Sequence, residues 1–463
     1  MGGLPEQLAR RLAERGVKVL DIVFPDLFGY ARTVTVPARD ADNAVEGGVG
    51  FDGSSVLGYL PVERSDMVVR ARVDRLFVPP WSPKRAIALG EVLGAGGQPT
   101  ELNPRQVLAR VVEKVRQQGY EVRCGAELEF FILQPKERLG ALVQNLEHGG
   151  SGAIEPLPHL TDVSYYFAPP PLDAGYNLKL ALAEVLEQLG IHVTKMHHEV
   201  AWGQHEVTIS GKDPLEEADN LFLAKVIISE LARTNGLAAS FMPKPVWGIN
   251  GSGVHVHLSL WKEDRNAFYG GEAQLSELGQ RFTAGILAHA RELSAIVAPT
   301  VNSYKRLVHG YEAPVYVAWG YANRTALIRI PVERCPSRYR VEYRHPDPMM
   351  NPYLALATII AAGMDGVEQR LEVPPPREDC LYHLSLEKAE EEGVPLLPAH
   401  LAEAVDLLDR SSLLRSILGE EVHRNFVSNK RREWASYTKE CGNWEQTKTK
   451  ITGWELRHYL FLV

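Results

Sequence analysis

Three short stretches of the chain alternate ionisable and apolar residues with a period of two. They read "GAELEFFIL" (residues 125–133), "GVHVHLSL" (253–260) and "YRVEYRH" (339–345). Side chains of a β-strand alternate between its two faces. Each stretch therefore predicts a strand with an apolar back and two or three Glu, His or Arg side chains on one face.

For any one stretch, the alternative is an ordinary half-exposed strand with its polar face in water. Three in one chain favour a shared cavity, whose predicted lining residues are Glu127, Glu129, His255, His257, Arg340, Glu342 and Arg344. Crowded carboxylates need a counter-charge, which a divalent cation usually supplies. Mostly oxygen ligands with one imidazole favour Mg²⁺ or Mn²⁺ over structural zinc.

Glycine-containing loops carry further candidate residues. In "HHEVAWGQHE", Glu199 and Glu206 stand on either side of a glycine-containing turn. The "NGSG" that begins at Asn250 leads into the histidine strand, and its glycines permit a ligand to approach the backbone closely. The stretch 302–314 has Gly and Pro around Glu312, as a mobile flap does, with a plain surface loop as the alternative.

Arginines are concentrated in the same part of the chain: Arg306, Arg324, Arg329, Arg340 and Arg344. Such spacing is usual for a solvated strand edge. Beside a carboxylate–metal cavity it indicates an anion clamp for a phosphate or a substrate carboxylate. The chain has no G-x-x-x-x-G-K-[ST] loop, so a nucleotide here would be held by metals and arginines.

The composition excludes several classes of protein. A formal net charge of -8 does not favour binding to nucleic acid. The longest apolar stretch, residues 353–364, is too short to span a bilayer, and the charged N-terminal stretch has no apolar signal core. We therefore expect a cytoplasmic protein without a membrane partner. The four cysteines are far apart, which argues against disulfides and structural zinc.

The order of predicted elements indicates an α+β fold with two domains, residues 1–100 and 101–463. Short β-branched runs punctuated by Pro and Gly predict a small sheet in the first domain. In the second, helices and strands do not alternate strictly, which argues against a doubly wound sheet. Helices are predicted from Asn103-Pro104 to residue 119 and at 175–190, 215–235, 275–297, 351–370 and 400–417, with a capping box at Thr452–Glu455.

Taken in order, several stretches resemble the type I glutamine synthetase family: "GFDGSSVLGY", "GAELEFF", "HHEVAWGQHE", "NGSGVHVHLSL", "NSYKRLVHGYEAP" and "RVEYRHPDPMMNPYLA". Each alone is weak, but together they run nearly from end to end. The resemblance implies a β-grasp domain followed by a catalytic domain built on an antiparallel sheet. It also implies a dodecamer of two hexameric rings, with active sites between subunits, and ATP-dependent ligation of ammonia to L-glutamate through γ-glutamyl phosphate.

The resemblance further implies a role for each matching residue. One metal ion would be held by Glu129, Glu199 and Glu206, and a second, on the nucleotide phosphates, by Glu127, His255 and Glu342. The glutamate-binding positions are Asn250, Gly251, Arg306 and Arg344, and the ATP-binding positions are His257, Ser259, Arg324, Arg329 and Arg340. The ammonium-binding positions are Tyr166, Glu199, Glu312 and a neighbouring subunit's Asp52 and Ser55. The implied catalytic residues are Asp52 as base, Glu312 on the flap and Arg324.

The chain departs from the family's usual residues mainly at the nucleoside end. Thr194 stands where glutamate is frequent, Ser337 where lysine is common, and residues 209–211 lack the usual aromatic. His309 replaces a flap proline. Tyr382 matches a tyrosine that some type I enzymes have adenylylated, with a plain packing role as the alternative.

Two other functions stay open. A related ligase joins glutamate to a polyamine, ethanolamine or alkylamine, and Trp202 would reshape the amine pocket of such an enzyme. The other is an assembly protein without catalysis, against which the intact metal-ligand positions argue.

Overall fold

The structure, a computed structural model, describes residues 8–135, 154–156, 164–211, 213–272 and 274–463. Within them the N-terminal part forms a five-stranded sheet in the order β2–β1–β5–β4–β3, with β1 and β5 parallel and the other neighbours antiparallel. Its elements are α1 (Leu8–Glu14), β1 (Val19–Pro25), β2 (Ala31–Pro37), α2 (Ala41–Glu46), β3 (Val49–Asp52), β4 (Asp66–Phe77) and β5 (Arg85–Leu93). The predicted small sheet is confirmed, and its most continuously buried strands, β1 and β5, lie next to each other inside it.

The large sheet carries the three predicted cavity strands as neighbours. Its main path runs β13–β14–β15–β11–β6–β9–β8 through the described residues, with β7, β10 and β12 paired at the sides. The strands are β6 (Glu121–Pro135), β7 (Ile154–Pro156), β8 (Val193–His198), β9 (Gln204–Ile209), β10 (Ala238–Ser240), β11 (Val254–Lys262), β12 (Arg265–Asn266), β13 (Trp319–Tyr321), β14 (Ile328–Ile330) and β15 (Val341–Tyr343). The expected α+β architecture is therefore confirmed.

Helices cover the sheets and form most of the C-terminal part. They are α3 (Pro104–Gln117), α4 (Tyr176–Gln188), α5 (Pro214–Thr234), α6 (Glu277–Val297), α7 (Ser303–Arg306), α8 (Pro352–Glu368), α9 (Leu386–Glu391), α10 (Leu401–Arg410), α11 (Ser412–Leu418), α12 (Glu420–Cys441), α13 (Trp444–Thr447) and α14 (Gly453–Tyr459). No helix in the described ranges combines the length and apolarity needed to cross a membrane.

The most apolar stretch of the sequence is a core helix. This helix, α8, packs against α3, α5 and α6 and is buried along nearly its whole length. It approaches α6 closely where Gly285 faces Gly366, because a Cβ atom on Gly285 would lie 2.2 Å from the carbonyl oxygen of Ala362. The two glycines thus allow α6 and α8 to pack backbone against backbone.

One predicted helix is divided in two, whereas the ends of the other predicted helices agree with the structure to within two residues. The stretch predicted as a single helix at 400–417 is divided, because the Ser411 side chain accepts a hydrogen bond from the Leu414 N–H and begins a new helix. The capping box at Thr452 and Glu455 is confirmed. The Glu455 carboxylate is wholly buried and also pairs with Lys305, so the C-terminal segment packs within its own chain.

Candidate active site

The strand register places the predicted ionisable side chains on one face of the large sheet. Glu127 of β6 lies opposite His255 of β11, and Glu129 lies opposite Glu206 of β9. Residues paired directly across two strands point to the same face. The alternate residues are buried on the other face: Ala126, Leu128, Phe130, Val254, Val256 and Leu258. The predicted alternation is therefore confirmed.

Two cavities open on this face. The first has a volume of about 320 Å³. Thirteen of the site residues predicted from the sequence line it: Glu127, Glu129, Tyr166, Glu199, Glu206, Asn250, Gly251, His255, Arg306, Glu312, Arg324, Arg329 and Arg344. The second, of about 630 Å³, is lined by His257, Ser259 and Arg340 together with residues of β6 and β9. Glu127 lines both cavities, so they meet at its carboxylate.

Glu127, His255 and Glu342 form a cluster where the cavities meet. Their ligand atoms lie within 4.8 Å of one another. His255 Nδ1 and His257 Nε2 are 3.0 and 3.2 Å from the Glu127 carboxylate oxygens. Burial opposes charge on Glu127, but these histidines hold its pKa well below the ordinary value. Burial likewise opposes charge on Glu342, and Arg344 lowers its pKa to about 2.

Glu129, Glu199 and Glu206 form a second acidic group, in which Glu206 is central. Its ligand atoms fall within 4.8 Å of those of Glu129 and His255, and also of those of His197 and Glu199. Burial and the neighbouring Glu206 carboxylate raise the pKa of Glu199 to about 7. Burial, with Glu199 and Glu206, raises that of Glu129 well above its ordinary value. Glu206 therefore belongs to two groups, one with Glu129 and His255 and one with His197 and Glu199, and the trio as ligands of one metal ion stays a prediction.

The donor chemistry of both groups fits a divalent cation. Carboxylate oxygens with one imidazole suit Mg²⁺ or Mn²⁺. Burial and the neighbouring carboxylates favour the protonated forms of Glu129 and Glu199. A bound dication would stabilise the ionised forms instead. Glu129 is oriented for this purpose, because its Oε2 accepts hydrogen bonds from the Gly253 N–H at 2.8 Å and from Gln204 Nε2 at 3.1 Å.

The arginines are held by neighbouring groups in the sheet. Arg306, almost wholly buried, donates to the carbonyl oxygens of His345 at 2.9 Å and Arg344 at 3.1 Å. Arg329 and Arg344 both pair with Glu342, at 2.5 and 2.6 Å. Such pairing fixes the guanidinium groups before a substrate anion arrives.

Arg340 and Arg324 stand at different cavities. Arg340 Nε donates to His257 Nδ1 at 3.1 Å, and its Nη1 pairs with Glu333 at 2.7 Å, beside the second cavity. Arg324 lines the first cavity with Arg329. The cationic side chains therefore border both cavities.

The predicted flap closes one side of the first cavity. Asn250 Nδ2 donates to Glu312 Oε2 at 2.9 Å, and Glu312 has a left-handed φ of 55°. Residues other than glycine adopt this conformation uncommonly, and strained residues of this kind cluster at functional sites. The wholly buried Lys244 joins the same two loops, because it donates to the Ile249 carbonyl oxygen and its Nζ lies 3.6 Å from the Tyr311 ring centroid.

Comparisons with known proteins agree with this arrangement. The model of the family "Glutamine synthetase, catalytic domain" matches residues 101–449, and that of "Glutamine synthetase, beta-Grasp domain" matches residues 16–93. The glutamine synthetase of Thermotoga maritima is 39% identical over 99% of both chains, and that of Pyrococcus abyssi is 39% identical over 97% of this chain and 98% of its own.

The chain belongs to the glutamine synthetase family.

Solved structures described as "GmaS/ADP complex-Conformation 1" and "Apo GmaS without ligand" superpose with TM-scores of 0.83 and 0.82 at 31% identity, covering 96% of this chain and 99% of theirs. As a glutamine synthetase family member, the protein is a carbon–nitrogen ligase. The family's substrates are glutamate, ammonium and ATP, and its cofactors are divalent metal ions. The domain boundary at residue 100 stays a prediction.

The ammonium-binding positions of the family are only partly together in this chain. Tyr166, Glu199 and Glu312 line the first cavity, whereas Asp52 and Ser55 are not among its lining residues. Asp52 is exposed and accepts hydrogen bonds from the Ser54 N–H and hydroxyl and from Ser55 Oγ, at 2.7 to 2.8 Å. These bonds, led by that from the Ser54 hydroxyl, lower the pKa of Asp52 to about 2.

The second cavity gathers most of the positions at which the sequence departs from the family. The departures that the resemblance places at the nucleoside end, Thr194, residues 209–211 and Ser337, line this cavity, whereas His309 of the flap does not. Arg123 and Trp261 also line it, and the Arg123 guanidinium lies 3.6 Å from the Trp261 ring centroid. This stacked pair was not predicted, because its partners come from two strands whose register the sequence does not state.

The lining of the first cavity also includes Lys195, Gln204, Tyr311 and Thr325, which were not predicted. Tyr382 lines it too, although the sequence did not predict that this residue would lie at the cavity. Lys195, Gln204, Tyr311 and Thr325 each lie within a few positions of a predicted site residue in the sequence, whereas Tyr382 lies far from all of them and was noted only as a modification position. Trp202, by contrast, lines neither cavity. Adenylylation of Tyr382 stays a prediction.

Proposed function

We propose that the protein ligates ammonia to the γ-carboxylate of L-glutamate at the expense of ATP, through γ-glutamyl phosphate. The observation that carries this proposal is the pair of cavities joined at Glu127. The first cavity has buried arginines for an amino-acid carboxylate, and the second has three of the five proposed ATP-binding positions, His257, Ser259 and Arg340. A phosphoryl group can then pass between them along the acidic face of the sheet.

In this proposal the arginines bind and orient the anions. Arg306 and Arg344, fixed by carbonyl and carboxylate partners, bind glutamate together with the Asn250–Gly251 backbone. Arg324, Arg329, Arg340, His257 and Ser259 bind the phosphates and the nucleotide. Mg²⁺ or Mn²⁺, bound at the two carboxylate groups, would neutralise charge on the transferring phosphoryl group.

The residues around the amine have complementary tasks. Glu199, Glu312 and Tyr166 would form the cation pocket in the first cavity, with the flap excluding water once closed. Asp52 and Ser55 would enter from a neighbouring copy of the chain. With a pKa of about 2, Asp52 holds ammonium as a carboxylate, and it becomes a useful base only if its serine hydrogen bonds are lost on closure.

We also propose an oligomeric state and a cellular compartment for the protein. A dodecamer of two hexameric rings would bring Asp52 of one subunit to the first cavity of the next. The substrates are cytoplasmic metabolites, so we place the enzyme in the cytoplasm.

The experiment is phosphate release from ATP with glutamate and Mn²⁺, comparing ammonium with methylamine, ethylamine, ethanolamine and putrescine. We expect ammonium to give the highest kcat/KM by at least about tenfold, equivalent to roughly 1.4 kcal/mol of preferential transition-state binding. A higher value with an organic amine would replace this proposal by the related ligase. No release with any amine would contradict both.

A further inference from the structure

Lys195 stands at the junction of the two cavities. It lies on β8 opposite Thr208 of β9, which in turn lies opposite Glu127 of β6. Lys195 lines the first cavity, whereas its neighbour Thr194 and its partner Thr208 line the second. The lysine is therefore in the same row across the sheet as the carboxylate that the cavities share.

Glu206, the ionic partner of Lys195, also has other hydrogen-bond donors. Lys195 Nζ is 3.0 Å from Glu206 Oε1, but the same oxygen is also 3.0 Å from His197 Nε2 and 3.1 Å from the Thr208 hydroxyl. Glu206 is almost wholly buried, whereas the Lys195 side chain is 41% exposed. The buried acid thus has other donors, and the partly exposed lysine can reach another partner.

The positive charges around Lys195 favour binding of an anion. If Glu206 binds a cation, its charge is neutralised and Lys195 loses its counter-ion. Arg324 and Arg329 line the same cavity as Lys195. A small, highly charged anion bound between the lysine and the two arginines would accept charge-assisted hydrogen bonds from all three side chains.

We propose that Lys195 binds the phosphoryl group as it passes from ATP to glutamate, and then the phosphate that is released. This inference rests on the proposed function. In the first step the bond from the γ-phosphorus to the β-phosphate bridging oxygen breaks, and a bond to a glutamate γ-carboxylate oxygen forms. In the second, the neutral amine nitrogen forms a bond to the γ-carbon and loses one proton to the base of the ammonium site. The bond from the γ-carbon to the phosphorylated oxygen breaks, and inorganic phosphate leaves with that oxygen and its electron pair. A flexible ammonium suits a group that moves between two positions.

The test measures inorganic phosphate binding by calorimetry to the full-length protein with saturating Mn²⁺ and ADP. The variants are Lys195→Ala, Lys195→Gln and Lys195→Arg, and Lys262→Ala is the matched control, an exposed lysine at the end of β11 that lines neither cavity. Loss of one charge-assisted contact predicts a phosphate Kd about 10 times higher or more for the Ala and Gln variants. We expect recovery to within about threefold of the wild type for Lys195→Arg and no change for Lys262→Ala.

Mn²⁺ binding, measured separately, distinguishes the role of Lys195 from a simple counter-ion for Glu206. We expect the Mn²⁺ Kd of the Lys195 variants to stay within about threefold of the wild type, because Glu206 keeps His197 and Thr208 as partners when the lysine is removed. An unchanged phosphate Kd overturns the proposal, and so does a loss of phosphate affinity that only follows a loss of Mn²⁺ affinity. No amine is present, so an error in the proposed amine would leave this result unaffected.

Discussion

At the scale of single residues, Glu199 links the acidity of the site to metal binding. Burial and the Glu206 carboxylate raise its pKa to about 7, so in the metal-free protein it holds a proton below that pH. A metal ion binds the carboxylate form and must displace this proton. We therefore expect Mn²⁺ affinity to rise by up to about tenfold per pH unit between pH 5.5 and 7, and to level off above pH 7.5.

Proton release measured by calorimetry in buffers of different ionisation enthalpy checks this assignment. Glu199→Gln should bind Mn²⁺ more weakly and with a smaller pH dependence. Tyr166→Phe, which leaves the carboxylates in place, is the control and should keep the wild-type slope. A slope equal in wild type and Glu199→Gln would assign the proton to another group.

At the scale of structural elements, the flap and the Asn250 loop are joined by a buried cation. Burial, with the nearby Arg306, lowers the pKa of Lys244 to about 7. The unfolded chain holds that proton up to about pH 10.5, so this group makes the folded state more stable as pH rises from 7 to 10. Below pH 7 the full penalty for burying its charge is present.

Lys244→Met tests this loop connection. The methionine cannot titrate, so the stability of the wild type relative to the variant should rise between pH 7 and 10, by at most about 1.4 kcal/mol per pH unit. Urea unfolding at several pH values measures this. Because Tyr311 loses its cation and Ile249 its donor, the KM for glutamate should also increase at every pH.

The pH dependence of this stability difference shows whether Lys244 loses its proton in the folded protein. A difference in stability that does not vary with pH would mean that Lys244 stays charged throughout. Lys388→Met, on an exposed lysine of α9, serves as the control and should show no trend of either kind.

The elements also show what the sequence could and could not predict. Period-two alternation identified β6, β11 and the short β15, because a buried back face leaves a strong apolar signal in each strand. The break at Ser411 and the polar helix α12 were not predicted, since a cap within an apolar pattern and a helix with few apolar residues give weak signals. Lys195 and Gln204 required the pairing of β8, β9 and β6, which depends on register and not on residue type.

At the scale of the whole molecule, the first cavity lacks part of the predicted ammonium site. Asp52 lies on the exposed edge of the small sheet and does not line the cavity of its own chain. If a second copy supplies it, Asp52→Ala and Glu342→Gln damage different halves of a shared site. We expect each variant alone to lose at least about 100-fold in glutamine synthesis, and Asp52→Ala to keep its Mn²⁺ affinity.

Mixing the two variants, followed by dissociation and reassembly, should restore up to about one quarter of the wild-type activity. A hybrid site then combines an intact Asp52 from one copy with an intact cavity from the other. A mixture of Glu342→Gln with Glu129→Gln is the control, because both changes lie in one cavity and no intact site forms. Restoration in the control, or none in the test mixture, would mean that the site is not shared as proposed.

The central claim is that this cavity joins ammonia to glutamate. It is tested most directly by competition, in which the enzyme receives glutamate, ATP, Mn²⁺ and equal concentrations of ¹⁵N-ammonium, methylamine, ethylamine, ethanolamine and putrescine. Mass spectrometry then identifies the γ-glutamyl products. We predict that ¹⁵N-glutamine is the main product, with one phosphate released for each molecule formed. A γ-glutamyl alkylamide or polyamine conjugate as the main product would contradict the account.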